Sequence, residues 1–97
     1  MSMFTFPFAI FKIADNSMEP TLHEGDYVIV NKRATARKGD IVVSKHPMKN
    51  IFIIKRVKKV GEDSVFLNGD NVEESIDSRH FGAVDKNSIF GKMILKI

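Results

Sequence analysis

Short runs of β-branched and aromatic residues alternate with turn signals along this chain. Tyr27-Val28-Ile29-Val30 follows Glu24-Gly25-Asp26, and Ile41-Val42-Val43 follows Lys38-Gly39-Asp40. Ile51 to Val57 follows Pro47 and Asn50, and Val65-Phe66-Leu67 follows Gly61-Glu62-Asp63. Near the end, Ile89-Phe90 and Met93-Ile94-Leu95 bracket Gly91. Many short strands punctuated by turns predict an all-β domain. Asn68-Gly69 predicts a tight turn, because both residues tolerate positive φ. Phe4, Phe6, Phe8 and Ile10 recur at a period of two, which suits an edge strand. Left exposed, the same row would be a membrane-surface or protein-docking patch. Only two stretches leave room for a short helix. One is Ser17 to Leu22, where Pro20 limits extension, and the other lies around Asp85 to Ser88.

The length of 97 residues fits one domain, 1–97, with residues 1–12 as a Phe-rich N-terminal segment. Apolar residues at 43% and charged residues at 28% exclude wholesale disorder. Without cysteine, disulfides, cysteine–zinc sites and a thiol nucleophile are excluded. The net charge of +3 is concentrated at Lys32, Arg33, Arg37, Lys38 and at Arg56, Lys58, Lys59. No aromatic platform is interleaved with these residues, so they read as a solvated basic face, and no nucleic-acid partner is expected. A spanning helix needs about 20 apolar residues. The longest candidate, Met1 to Ile13, is shorter and holds Pro7 and Lys12. It also lacks the charged start and small-residue cleavage site of a signal peptide.

Lys55 is the first residue whose setting suggests chemistry. In an extended strand, Ile51, Ile53, Lys55 and Val57 share a face. Desolvation among apolar neighbours penalises the ammonium and lowers the pKa, so a neutral amine becomes available as a base. The alternative is a packed stem whose amine reaches water. Ser17, just before a turn or helical start, is either a plain N-cap or a nucleophile with backbone N–H groups beside it. His23, His46 and His80 are scattered over turn-like segments, and no carboxylate–histidine cluster has metal-ligand spacing. Neither a metal nor a cofactor is expected.

The segments say more together than apart. Ser17-Met18-Glu19-Pro20-Thr21-Leu22 comes first, then Gly25-Asp26-Tyr27-Val28 and Gly39-Asp40-Ile41-Val42-Val43. Ile54-Lys55-Arg56-Val57 follows, then Gly69-Asp70-Asn71, Ser75, Asp77-Ser78-Arg79, Phe81-Gly82 and Val84. In this order, over about 13–92, they resemble the signal peptidase I family of serine–lysine proteases.

The resemblance implies a small antiparallel, partly open coiled β-barrel of the signal peptidase and self-cleaving repressor type, with at most one or two short helices. It implies a serine endopeptidase in which Ser17 is the nucleophile and Lys55 its general base. Ser75 would orient the lysine, and the Asp77–Arg79 pair would hold the last block. Met18 and Pro20 would set the nucleophile's turn, with Met18 touching substrate. The Ser17 N–H would be one oxyanion donor.

Two departures from the family pattern stand out. Many members carry a donating hydroxyl two residues before the nucleophile, where this chain has Asp15, a group that cannot donate when ionised. Many also have a membrane anchor and an added β-domain after the lysine, whereas here Asn68 follows Lys55 by only 13 positions. The short form resembles the nickel-type superoxide dismutase maturation proteases. That branch implies a cytoplasmic monomer whose partner is a precursor with an N-terminal leader, with membrane contact at most peripheral. A truncated membrane-anchored signal peptidase would look similar and would sit at the extracytoplasmic membrane face. A non-catalytic binding module on the same fold is the rival from another class.

Overall fold

The structure is a computed structural model and describes residues 6–97. Phe4, the first of the alternating phenylalanines, lies outside that range. Seven strands form one antiparallel sheet: β1 (Phe8–Lys12), β2 (Tyr27–Asn31), β3 (Ile41–Lys45), β4 (Phe52–Val60), β5 (Ser64–Asn68), β6 (Val84–Asp85) and β7 (Ile89–Lys96). Their order is β1-β2-β7-β3-β4-β5-β6, so the last long strand is inserted between β2 and β3. The sheet curls into a half-barrel, the mostly β architecture that the strand pattern predicts. One short helix, α1 (Ser78–Phe81), and the 3-10 turns Val72–Glu74 and Lys86–Ser88 are the helical parts among the described residues.

Central β3 explains how so small a sheet carries a core on each face. Ile41, Val42, Val43 and Ser44 are all buried. Alternate side chains of a strand point to opposite faces. Ile41 and Val43 join Ile13, Met18, Leu22, Val28 and Val30 in one cluster. Val42 joins Val57, Val65, Leu67 and Val84 in the other. Each fully buried aliphatic side chain contributes roughly 1.5–3 kcal/mol.

The edge strand β1 turns Phe11 inward, where it meets Phe52 and Phe90 in edge-on contacts at 5.6 and 5.4 Å. Phe6, Phe8 and Ile10 face outward and are exposed. The alternating row is therefore a surface patch rather than a core face.

Two local expectations need correction. Ser17 to Leu22 forms consecutive turns instead of a helix. Asn68-Gly69 is not a positive-φ hairpin turn, since the positive-φ glycines are Gly25, Gly39 and Gly82. Asn68 ends β5, and Gly69 serves close approach: a Cβ there would lie 2.1 Å from Ser75 Oγ and 2.7 Å from the Ser17 carbonyl oxygen.

Candidate active site

Strand pairing leaves a gap in the half-barrel. Among the described residues, β1 is paired on one side only, with β2. The first half of β4 is paired with β3, but its pairing with β5 begins only at Arg56. Residues 11–15 and 51–54, together with Val43, line a groove of about 290 Å³ between these free edges. One wall leads directly to Ser17 and the other directly to Lys55.

Both residues are buried, Ser17 at 2% and Lys55 at 3% exposure. Lys55 lies opposite Val42 in the ladder and shares the face of Val57. Ile51, expected as another desolvating neighbour, is exposed and precedes the strand. Lys55 Nζ donates to Ser75 Oγ at 3.1 Å. Burial lowers the lysine's pKa. The carboxylates of Asp15 and Asp77 act against that shift, and Arg79 adds to it. A lysine held this way is nearer to a free amine than an exposed one.

The Ser17 segment is tied to the loop after β5. Asn71 N–H donates to the Ser17 carbonyl at 2.9 Å, and Asn71 Nδ2 to the Asn16 carbonyl at 3.0 Å. Thr21 Oγ1 donates to Asp70 at 2.6 Å, and Arg56 grips the same carboxylate with two bonds of 2.8 Å. Ser17 Oγ is buried with no hydrogen-bond partner among the described residues. Buried hydroxyls are normally bonded, so an orphan calls for an explanation.

Asp77 organises the remaining members. It is fully buried and caps α1, accepting from Arg79 N–H at 3.1 Å. It also accepts from Gly69 N–H at 2.7 Å, from Ser75 Oγ at 2.8 Å and from both ends of the Arg79 guanidinium. Burial alone would raise its pKa. The hydrogen bonds from Arg79, Gly69 and Ser75 outweigh burial and hold the carboxyl well below its usual range. From spacing alone, an Asp and an Arg two residues apart read as an ordinary surface pair. The structure instead shows a buried anion with every lone-pair direction used.

Ser17, Lys55, Ser75, Asp77 and Arg79 thus meet around Gly69. Met18 does not line the groove; it is fully buried in the cluster with Ile13 and Leu22. None of the histidines bonds the Ser17 hydroxyl. His23 pairs with Glu19, and His46 Nδ1 accepts from two backbone N–H groups of its own loop. His80 belongs to the α1 capping box. Ser78 is a participant that sequence reading assigned no role: its hydroxyl accepts from Leu67 N–H at 2.8 Å and fastens α1 to β5. Arg56, expected on a solvated basic face, is instead paired with Asp70, which was legible only as part of a longer block. Among the described residues, no three His, Asp or Glu side chains are grouped to hold a metal ion.

The half-barrel, its open groove and the buried serine and lysine at the end of that groove define a signal-peptidase-like protein. The chain belongs to the Peptidase S24-like family, whose model matches residues 5–94. It is 31% identical over 106 residues to mitochondrial inner membrane protease subunit 1 of Xenopus tropicalis, covering 84% of this chain and 64% of that protein. It is 32% identical over 92 residues to signal peptidase I T of Bacillus subtilis, covering 84% of this chain and 48% of the relative. Against signal peptidase I of Buchnera aphidicola it is 34% identical over 91 residues, or 77% of this chain and 27% of the relative. The chain thus spans less than two thirds of each of these relatives.

Proposed function

We propose that this protein is a serine endopeptidase in which Ser17 and Lys55 form the catalytic pair. The observation that carries this reading is the burial of an unpartnered Ser17 hydroxyl at the groove end where Lys55 also lies, the lysine bonded to Ser75. A neutral amine has two N–H bonds and one lone pair. One N–H is directed to Ser75, whose own proton goes to Asp77. The lone pair is left to take the Ser17 proton as Oγ attacks the scissile carbonyl. The resulting ammonium then gives that proton to the leaving amine, and water hydrolyses the acyl-enzyme by the same route. An extended substrate segment fits between the free edges of β1 and β4, making backbone hydrogen bonds of the strand-addition kind.

The substrate in this reading is a precursor protein with an N-terminal leader, and a nickel superoxide dismutase precursor is the specific candidate. The compact connection from Lys55 to Asn68 supports that branch. The catalytic domain of a membrane-anchored signal peptidase is the second reading, favoured by the partial coverage of the relatives. No helix among the described residues is long and apolar enough to cross a membrane. The outward row of Phe6, Phe8 and Ile10 offers a surface for peripheral membrane contact. In the leader-peptidase reading residues 1–97 make up one peptidase domain, and that domain acts as a monomer. The deciding assay incubates candidate leader precursors with the protein and maps the new N-termini by mass spectrometry. Cleavage by the parent and none by Ser17→Ala is expected. Equal cleavage by both would refute the assignment.

A further inference from the structure

Acyl transfer needs a hydrogen-bond donor where the carbonyl oxygen becomes an oxyanion, and the N–H of the attacked serine is such a donor. In this protein that N–H is already engaged: it donates to Asp15 Oδ1 at 3.0 Å. An ionised carboxylate has no proton to offer and repels an oxyanion. The same group also acts on the base. Asp15 and Asp77 both favour the ammonium form of Lys55, while Arg79 opposes it and His80 sits 3.7 Å from Asp77. The two carboxylates differ in freedom. Asp77 is fully buried under bonds from Arg79, Ser75 and Gly69, whereas Asp15 is exposed on the groove wall.

We propose that Asp15 is a substrate-displaced cap: its carboxylate occupies the oxyanion donor of the free protein, and a segment filling the groove replaces it with the scissile carbonyl. This inference rests on the Ser17/Lys55 reading and adds a specificity device to it. Contacts along 11–15 and 51–54 supply the binding energy that moves the cap. A short peptide that leaves the groove empty meets an occupied donor. Binding energy from remote parts of a substrate is thereby spent at the reacting centre.

The experiment compares Asp15→Ser and Asp15→Asn with the parent on a full leader substrate and on a short peptide spanning only the scissile bond. Serine removes the charge and offers a donor. Asparagine removes the charge but keeps an oxygen able to accept from Ser17 N–H. Asp15→Ser is expected to raise kcat/KM on the short peptide by about tenfold or more, and by much less on the full leader. Both variants are expected to move the rising pH limb to lower pH, because a charge favouring the ammonium is gone. An Asp15→Ser protein no faster on the short peptide, with an unmoved limb, would overturn the cap. A second readout needs no turnover: the Ser17 amide proton shift and the Lys55 ¹³Cε titration, both by NMR. Asp15→Ser should move the amide upfield and lower the lysine midpoint. If neither moves, the cap is refuted even in an active protein. If both move but neither the parent nor any variant cleaves anything, the peptidase reading fails and the displaced cap falls with it. If the parent cleaves the full leader and only the expected gain of Asp15→Ser on the short peptide is missing, the cap alone is refuted.

Discussion

Lys55 Nζ and Ser75 Oγ are 3.1 Å apart, and the serine's proton is directed away from the lysine, to Asp77 at 2.8 Å. Ser75 therefore presents a lone pair to Lys55, and in the proposed mechanism it fixes the amine without competing for the Ser17 proton. Ser75→Ala removes that guide and leaves the base in place. Turnover should fall roughly ten- to a thousandfold through misalignment. Folding should cost about 1–3 kcal/mol for the unpaired partners. Steady-state kinetics and urea unfolding of this variant check both numbers; full activity would remove Ser75 from the machinery.

Gly69→Ala tests the crowding at the centre of the site. The added Cβ would lie 2.1 Å from Ser75 Oγ and 2.7 Å from the Ser17 carbonyl oxygen, so the surrounding groups must shift. Overpacking of this kind costs about 1–3 kcal/mol, and displacement of both serines should abolish cleavage. A variant as active as the parent would show that the site is looser than the geometry indicates.

Asp77 predicts acid sensitivity. Its folded pKa is depressed below the unfolded value, so its contribution is fully present above the unfolded value of about 4. That contribution is lost as pH falls from there toward the folded value. Urea midpoints of the parent should therefore drop between about pH 4 and pH 2. Asp77→Asn should be less stable at neutral pH by a few kcal/mol and flatter through the acid range. Parallel curves for the two proteins would mean that the buried anion is not what acid titrates.

Lys55 predicts the opposite limb. Burial lowers its folded pKa below the unfolded value of about 10.4. Between the two values the unfolded chain binds more protons, so stability rises with pH across that window. The penalty is greatest below the folded pKa. Lys55→Met keeps the volume and removes the charge. It should be inactive, as stable as the parent or more so, and without the alkaline rise. Urea midpoints at about pH 7 and pH 10.5, a range that reaches the unfolded value of about 10.4, measure this; a Lys55→Met protein with the same alkaline rise as the parent would contradict it.

Much of this arrangement was legible along the chain because strands announce themselves by period and turn. The runs at Tyr27, Ile41, Ile51 and Val65 became β2 to β5 almost in place. The pocket's residues were legible through the order of short blocks, not through local chemistry. Helix α1 was not legible: four residues are too few for a 3.6-residue period, and Asp77 gives the same N-cap signal as many turns. The role of Gly69 was misread, because a glycine required by a neighbouring side chain looks the same in sequence as one required by a turn. The engagement of the Ser17 N–H by the exposed Asp15 carboxylate was also hidden. An Asp favours a bond to the N–H two residues on, but whether it forms depends on the backbone path of the turn.

The central claim is that Lys55 activates Ser17. Covalent labelling of Ser17 by a fluorophosphonate, followed by intact mass and peptide mapping across pH, tests it most directly. A single adduct at Ser17 is expected. Its rate should rise through an apparent pKa well below that of an ordinary lysine and fall at least a hundredfold in Lys55→Ala and Lys55→Arg, because arginine stays protonated. An adduct at another residue, a rate indifferent to Lys55, or a limb near pH 6 that vanishes in His80→Ala would contradict the account.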